Sequence, residues 1–229
     1  MIKAMILSAG YGKRLRPLTE NCPKPLLKIG KEKLLSNTIN FLQQYGIKEV
    51  VINVHYLSEQ IIEYINRKKF NLDITIVNEK EKILGTGGGV LNASKHFRES
   101  FLCINPDTLW HSSYVSELQK MENQFFSKKK KCFMLVVNKA KSFDKNLKGD
   151  FNLENNLITK KTDKSLEYIY TGLQIINPEV FLNINEKFFS ISRIWNGLIK
   201  NKELFGISSS IDFHHVSTLD IYKKLKIKY

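Results

Sequence analysis

Hydrophobic and polar residues alternate along the first hundred positions in a way that separates strands from helices. Short apolar or alternating runs predict four strands, over residues 4–7, 50–54, 72–77 and 101–104. Apolar residues at helical spacing predict helices between them, over residues 34–45, 61–65 and 90–97. This regular order predicts an α/β protein with a parallel sheet that carries helices on both faces.

The second half of the chain departs from this alternation. We expect a helix over residues 113–126, strands over 132–137, 168–176 and 211–216, and a last helix over 221–225. The Asn-rich stretch 150–161 is typical of a hairpin or a loop excursion, and Ser190 can cap a helix that continues through Lys200. No internal repeat or linker interrupts the sequence, so we expect residues 1–229 to form a single domain.

Charge is the feature of the composition that bears most directly on partners. The 229 residues include 36 Lys and Arg against 22 Asp and Glu, and the net charge of +14 raises nucleic acid as a partner. Only five basic residues are Arg, however, and Lys is scattered, whereas readers of phosphate and base edges favour the fork of Arg. We therefore expect no nucleic-acid partner, and the local pair Arg14 and Arg16 is the more informative signal.

Apolar stretches and cysteines narrow the class of protein further. No apolar stretch approaches the roughly 20 residues of a membrane span, and the run over 4–9 is too short for a signal peptide. We therefore expect a cytoplasmic protein with no membrane partner. Cys22, Cys103 and Cys132 are odd in number and form no Cys-x-x-Cys pair, which argues against a disulfide framework and a zinc site.

A glycine loop with basic residues follows the first predicted strand. It runs Gly10-Tyr-Gly-Lys-Arg-Leu-Arg-Pro, with Leu15 where the dinucleotide fingerprint needs a third glycine, and it also lacks the Walker pattern. Glycines let backbone N–H groups approach phosphates, and the adjacent Arg14 can form two parallel hydrogen bonds to phosphate oxygens. Lys24 stands between Pro23 and Pro25, which fix the local backbone and aim its side chain.

The whole series of motifs resembles a known family. The series begins with Leu7-Ser-Ala-Gly-x-Gly-x-Arg-Leu-x-Pro-Leu-Thr and Pro23-Lys-Pro-Leu-Leu, and continues with Asn53-Val-His-Tyr-Leu, Leu84-Gly-Thr-Gly-Gly-Gly, Asn105-Pro-Asp, Tyr170-Thr-Gly and Val216-Ser-Thr. In this order it resembles the signature of the sugar-1-phosphate nucleotidyltransferases over nearly the full length. The resemblance implies a Rossmann-like three-layer nucleotidyltransferase fold with a mixed, mostly parallel central sheet. It also implies that an NTP and a sugar 1-phosphate, the expected partners, give an NDP-sugar and pyrophosphate.

The resemblance also implies roles for individual residues. In a nucleotide-binding half, residues 1–110, the nucleotide would be bound by Leu7, Ala9, Gly10, Gly12, Arg14, Thr86, Gly87, Gly88 and Asn105. The catalytic residues would be Arg14, which holds the departing β- and γ-phosphates, and Lys24, which bridges the α-phosphate and the sugar phosphate. In a sugar-phosphate-binding half, residues 111–229, the sugar phosphate would be bound by Lys161, Thr171 and Gly172, together with Lys24 from the first half.

Asp107 follows a buried strand and is the natural ligand for the Mg²⁺ that the family implies. Family members usually place a second metal-binding aspartate where this chain has His215, and imidazole suits softer ions better than Mg²⁺. Three interpretations stay open. Asp107 suffices with phosphates and water; His215 contacts metal-bound phosphates or a softer metal; or catalysis is lost and the chain is a nucleotide-binding regulator. Intact Arg14, Lys24 and Asp107 favour the first two.

Within the family, Thr-Gly-Gly-Gly over residues 86–89 and His-Val-x-Thr over 215–218 are most similar to the uridylyltransferases that act on N-acetylmuramate 1-phosphate in peptidoglycan recycling. The order of preference is therefore UTP with that sugar, then GTP with mannose 1-phosphate, then CTP with a phosphocholine-like acceptor. The choice of base depends on a few contacts that a single sequence leaves open.

Overall fold

The structure is a computed structural model that describes residues 2–160 and 165–229. Its first half contains β1 (Ala4–Leu7), α1 (Leu18–Asn21), β2 (Lys28–Ile29), β3 (Glu32–Lys33), α2 (Leu34–Tyr45), β4 (Glu49–Val54), α3 (Ser58–Lys68), β5 (Asp73–Asn78), α4 (Gly85–Ser94) and β6 (Phe101–Ile104). Its second half contains α5 (Tyr114–Ser127), β7 (Cys132–Asn138), β8 (Asn152–Glu154), β9 (Leu157–Thr159), β10 (Tyr168–Ile176), α6 (Ser192–Lys200), β11 (Leu204–Ser209) and α7 (Leu219–Lys228). No helix in these ranges has both the length and the apolarity needed to cross a membrane.

Nine of the strands form one mixed sheet, in the order β5-β4-β1-β6-β10-β7-β11-β9-β8. The four strands from β5 to β6 are parallel to one another. β10 is antiparallel to both β6 and β7, β11 is parallel to β7, and the β8–β9 hairpin completes the far edge. The expected α/β fold with a mixed sheet and a parallel core is confirmed.

Buried side chains on both faces explain why the central strands are almost continuously apolar. In β1, Ala4 and Ile6 pack with the cluster that includes α2, α3 and α5, whereas Met5 packs with the cluster that includes α4 and α6. Because successive residues of a strand point to opposite faces, a strand covered by helices on both sides needs apolar residues at every position. The two layers of helices leave the strand ends at the sheet edge open for a ligand.

One local prediction for the second half is wrong, and a second, the helix capped by Ser190, is confirmed except for its first residue. The strand expected over 211–216 is instead an extended segment with isolated bridges at Phe213 and His215, and the strand lies earlier, in β11. That segment crosses the ends of the strands rather than joining the sheet. The helix α6 begins at Ser192 with Ile191 as its N-cap, and the Ser190 hydroxyl accepts a hydrogen bond from the Ser192 N–H at 3.3 Å. The helix 113–126 and the hairpin within 150–161 are confirmed as α5 and β8–β9.

Candidate functional site

A cavity of about 370 Å³ lies at the carboxyl ends of the parallel strands β1, β4 and β6. The predicted site residues that line it are Leu7, Ala9, Gly10, Gly12, Arg14, Lys24, Thr86, Asn105 and Asp107. Open α/β sheets bind their ligands at this edge, where the loops after neighbouring strands converge. The fold therefore brings together residues that are up to a hundred positions apart in the sequence.

The glycine loop reaches the cavity through a turn that depends on Gly12. Its φ of +63° is a left-handed conformation that favours glycine, and a Cβ there would lie 3.0 Å from the Thr19 side chain and 3.2 Å from that of Lys24. The Thr19 hydroxyl donates a hydrogen bond to the Gly12 carbonyl at 2.9 Å. Beyond this turn, the exposed residues Lys13 and Arg14 contribute to the wall of the cavity.

Lys24, Asp107 and His215 form a cluster of side chains, of which Lys24 and Asp107 line the cavity wall. The Lys24 Nζ lies 2.5 Å from Asp107 Oδ2, and the His215 Nε2 lies 3.2 Å from the same oxygen. Burial by itself raises the pKa of Asp107, but the Lys24 ammonium and the His215 ring outweigh it and hold that pKa well below its usual range. The carboxylate is therefore ionised at neutral pH.

Hydrogen bonds to two carbonyl oxygens of β10 fix the loop that carries Asp107. The Asn105 N–H donates to the Gly172 carbonyl at 2.8 Å, and the Thr108 hydroxyl donates to the Thr171 carbonyl at 2.7 Å. The register of β10 against β7 shifts at this point, which turns these two carbonyls toward the loop. The loop after β6 that carries Asp107 is thus held in place by the neighbouring strand β10.

The extended segment after β11 brings His215 to the same place. Thr108 and His215 form an antiparallel bridge, and the Val216 N–H donates to the Asp107 carbonyl at 2.8 Å. The Phe213 ring stacks on the imidazole of His215 with a centroid distance of 5.6 Å. These contacts hold the imidazole beside the carboxylate, at the position where the family resemblance implies an aspartate.

Asp107 is the residue that fits a divalent cation. Its Oδ1 is buried without a hydrogen-bond partner, whereas Lys24 and His215 hold its Oδ2. In the two described ranges, no group of three or more His, Cys, Asp or Glu residues converges to hold a metal by itself. A single carboxylate with one oxygen that lacks a hydrogen-bond partner fits Mg²⁺, which commonly combines one or two protein carboxylates with substrate phosphates and water.

Sequence reasoning missed a buried polar bracket behind the cavity. The Asn53 Oδ1 accepts a hydrogen bond from the Ser8 N–H at 2.9 Å, and the Asn53 amide donates to Glu79 Oε1 at 2.6 Å. The other carboxylate oxygen of Glu79 accepts from the Leu84 N–H at 2.7 Å. The bracket therefore joins the glycine loop, β4 and the approach to α4. The sequence signal for it was Asn53, a polar residue inside the apolar run 50–54 that also begins the Asn53-Val-His-Tyr-Leu motif.

The triple glycine forms the start of α4 and packs against the segment before α6. The N–H groups of Gly87 and Gly88 both donate to the Phe189 carbonyl, at 2.9 and 3.2 Å, and the Thr86 hydroxyl accepts from the Ile191 N–H at 3.0 Å. Thr86 lines the cavity, whereas Gly87 and Gly88 are buried and do not line it. Their predicted contact with the nucleotide stays a prediction, because Phe189 already satisfies their donors.

Close packing at Gly88 predicts a large loss of stability when one methyl group is added. A Cβ there would lie 2.0 Å from the Lys187 carbonyl oxygen, a backbone atom with little room to move. We expect Gly88→Ala to lower the free energy of unfolding by about 3 kcal/mol in urea denaturation. Gly197→Ala is the matched control, since Gly197 is exposed within α6 with nothing near its Cβ position, and it should add about 0.5–1 kcal/mol. Equal stabilities of the two variants would contradict the packing.

The predicted sugar-phosphate residues of the second half lie away from the cavity wall or outside the described residues. Thr171 is 1% exposed and its hydroxyl donates to the Leu135 carbonyl at 2.8 Å. Gly172 has a φ of +91°, and a Cβ there would lie 2.9 Å from Asn105 Cβ. Both residues support the Asp107 loop, and their contact with a sugar phosphate stays a prediction. Lys161 lies outside the described residues.

Comparison with known proteins gives the family. Residues 3–188 match the model of the family described as Nucleotidyl transferase. The N-acetylmuramate alpha-1-phosphate uridylyltransferase of Caulobacter vibrioides is 23% identical over 219 residues, which cover 93% of this chain and 90% of that protein. A mannose-1-phosphate guanyltransferase of Saccharomyces cerevisiae is 30% identical over 215 residues, which cover 89% of this chain but only 58% of that protein.

Solved structures share the fold over the whole chain. HddC from Yersinia pseudotuberculosis, complexed with GMP-PN, aligns with a TM-score of 0.78 at 20% identity and covers 100% of this chain and 99% of its own. UDP-glucose pyrophosphorylase from Acinetobacter baumanii aligns with a TM-score of 0.79 at 16% identity, covering 100% and 93%. Because the family match spans most of its length, the chain belongs to the nucleotidyl transferase family and is a sugar-1-phosphate nucleotidyltransferase.

Proposed function

We propose that the protein joins UTP to N-acetylmuramate 1-phosphate and releases pyrophosphate, as a cytoplasmic step of peptidoglycan recycling. The observation that carries the reaction is the 2.5 Å contact of Lys24 with Asp107, in a cavity at the strand ends that Arg14 also lines. The choice of substrates is supported by the motifs at 86–89 and 215–218. Similarity to the Caulobacter uridylyltransferase, which aligns over 90% of its length, also supports it.

In the proposed reaction, a phosphate oxygen of the sugar phosphate attacks the α-phosphorus of the nucleotide. The new P–O bond forms as the bond to the β-phosphate oxygen breaks, and the electron pair leaves with pyrophosphate. Such transfers depend on positioning and charge neutralisation, with little covalent chemistry for the protein. Arg14 would hold the departing β- and γ-phosphates, and Lys24 would bridge the α-phosphate and the sugar phosphate.

Asp107 and His215 prepare this site before substrates arrive. The carboxylate neutralises Lys24 in the free protein, and substrate phosphates would compete for the same ammonium. The His215 imidazole keeps a contact with Oδ2, which leaves Oδ1 of Asp107 as the oxygen for Mg²⁺. When bound there with the phosphates, Mg²⁺ would neutralise charge on the triphosphate.

Replacing His215 tests whether this position contributes to the metal site. We expect His215→Asp to lower the Mg²⁺ concentration for half-maximal activity roughly 10-fold and to reduce the preference for Mn²⁺, because a carboxylate suits the harder ion better. Binding of Mn²⁺, followed by electron paramagnetic resonance, gives a readout that needs no turnover. His111→Asp, at an exposed residue, is the control for added charge. Unchanged activity and metal preference in His215→Asp would remove any metal role for the imidazole.

A matrix of four NTPs against a panel of sugar 1-phosphates, with a coupled pyrophosphate assay, tests the proposed function. The proposal expects the highest kcat/KM with UTP and N-acetylmuramate 1-phosphate. A higher value with GTP and mannose 1-phosphate would favour the second candidate, which rests on the 30% identity to the Saccharomyces guanyltransferase. A higher value with CTP and phosphocholine would favour the third. Nucleotide binding without turnover of any pair would favour a regulator, for which His215 is the motivating feature.

A further inference from the structure

Tyr11 lies inside the glycine loop but points its ring away from the nucleotide cavity. Both of its neighbours, Gly10 and Gly12, line that cavity, whereas Tyr11 does not. Its ring packs instead against two residues that follow β4, with centroid distances of 5.7 Å to His55 and 5.3 Å to Tyr56. The His55 ring meets it edge-on at 87°, and the Tyr56 ring is tilted by 57°. These two residues, His55 and Tyr56, form an aromatic holder for the loop.

The aromatic holder is itself attached to the chain beyond the loop. The Tyr56 hydroxyl donates a shared hydrogen bond to two carbonyl oxygens, that of Thr19 at 2.9 Å and that of Glu20 at 3.1 Å. The Gln60 amide donates to the Asn21 carbonyl at 3.0 Å. The segment after β4 therefore contacts the glycine loop at Tyr11 and again at residues 19–21. The basic residues of the loop lie between these two attachments.

The loop needs such an attachment because its own backbone is permissive. Glycine populates many backbone conformations. The Thr19 hydroxyl and the buried side chain of Leu15 fix the later part of the loop, whereas the start of the loop at Gly10 depends on the contacts of Tyr11. Arg14 is exposed and forms no ion pair within the described residues, so it adds no restraint of its own in the absence of a ligand. The Lys13 Nζ lies 5.4 Å from the centroid of the Tyr11 ring, which ties a second cation of the loop to that ring.

We propose that Tyr11 is a positioning residue whose ring, packed against the aromatic holder, keeps the glycine loop where Arg14 meets the nucleotide phosphates. The role of Arg14 rests on the proposed function, whereas the position of the loop does not. The ring rather than the hydroxyl makes the attachment, because the hydroxyl lies 3.4 Å from His55 Nε2, long for such a hydrogen bond. The other ring nitrogen of His55, Nδ1, is buried without a hydrogen-bond partner, so no second hydrogen bond fixes the His55 ring.

Limited digestion with trypsin tests the proposal without any need for turnover. Lys13 and Arg14 are cleavage sites inside the loop, and the bond after Arg16 is resistant because Pro17 follows. We expect Tyr11→Ala to speed cleavage after Lys13 or Arg14 roughly 5-fold relative to cleavage in the 128–131 Lys run. Tyr11→Phe should match the wild type. Phe188→Ala, which removes an exposed ring that is distant in the sequence from both cleavage regions, is the matched control.

Two outcomes would overturn the proposal. Unchanged relative cleavage of the loop in Tyr11→Ala would show that the ring does not hold it, and equal acceleration at all sites would indicate general destabilisation instead. Tyr11→Leu, which keeps an apolar side chain, gives a second test if the alanine variant unfolds. With an active substrate pair in hand, the proposal also expects the KM for the NTP to rise several-fold in Tyr11→Ala, with a smaller change in kcat. Accelerated cleavage with no active pair would retain the proposal and reject only the proposed function.

Discussion

Asp107→Asn is expected to lower kcat about 1,000-fold while the protein remains folded. The substitution keeps the size of the side chain and an oxygen that can accept from Lys24, so the loop and its bonds to β10 should persist. It removes the negative charge of Asp107. Burial opposes that charge, but Lys24 and His215 stabilise it and hold the pKa of Asp107 well below its usual range. An amide is a weak ligand for Mg²⁺, so the cation would lose its protein anchor.

The measurement is the rate of pyrophosphate release across a Mg²⁺ titration, together with a thermal unfolding midpoint. Asp212→Asn is the matched control, because that carboxylate is 75% exposed and only 4.0 Å from Lys141, at the limit of an ion pair. It should leave the rate unchanged. Activity of Asp107→Asn within about 10-fold of the wild type would contradict the assignment of this carboxylate to the metal.

The apolar pattern predicted the parallel half of the sheet well because its strands are buried on both faces and interrupted by helices of clear period. It failed at β11, where Gly206 and Ser209 interrupt the apolar run. Gly206 is needed there because a Cβ would lie 2.6 Å from the Met134 carbonyl oxygen of the neighbouring strand. Conversely, Ile211 and Phe213 flank the polar residue Asp212, as in a strand, and Val216 follows two histidines. The burial of Phe213 and Val216 packs the segment that carries His215, which forms only isolated bridges.

In the candidate site, the residues that stand in motifs could be predicted from the sequence, whereas the contacts between distant side chains could not. Arg14, Lys24 and Asp107 stand in motifs whose residue types already suggest phosphate and metal chemistry, and the fold brings all three to one cavity. The pairing of Asn53 with Glu79 joins residues 26 positions apart through side chains, and no local pattern reports such a contact. The direction of the Thr171 hydroxyl depends on the irregular register of β10, which is equally invisible in a motif.

Lys24→Met is expected to lower kcat/KM by about 100-fold to 1,000-fold, because it removes a cation from the site of phosphoryl transfer. Methionine preserves the apolar part of the side chain, so packing is largely retained. The same change leaves the Asp107 carboxylate, 18% exposed, with only the His215 contact at Oδ2. Breaking a buried ion pair by removal of one partner is costly, and we expect the free energy of unfolding to fall by about 3 kcal/mol. Urea denaturation measures this loss, and initial rates of pyrophosphate release measure the activity.

The double variant Lys24→Met with Asp107→Asn separates the structural role of the pair from its catalytic role. Asp107→Asn replaces the unpaired carboxylate with a neutral amide. The double variant should therefore regain about 1–3 kcal/mol of the free energy of unfolding that is lost in Lys24→Met. Its activity should nevertheless fall below that of Asp107→Asn, because Lys24 has its own task at the phosphates. If the double variant were as active as Asp107→Asn, then Lys24 would serve only to neutralise the carboxylate. The bridging of the α-phosphate would then have to be assigned to another basic residue that lines the cavity, such as Lys13.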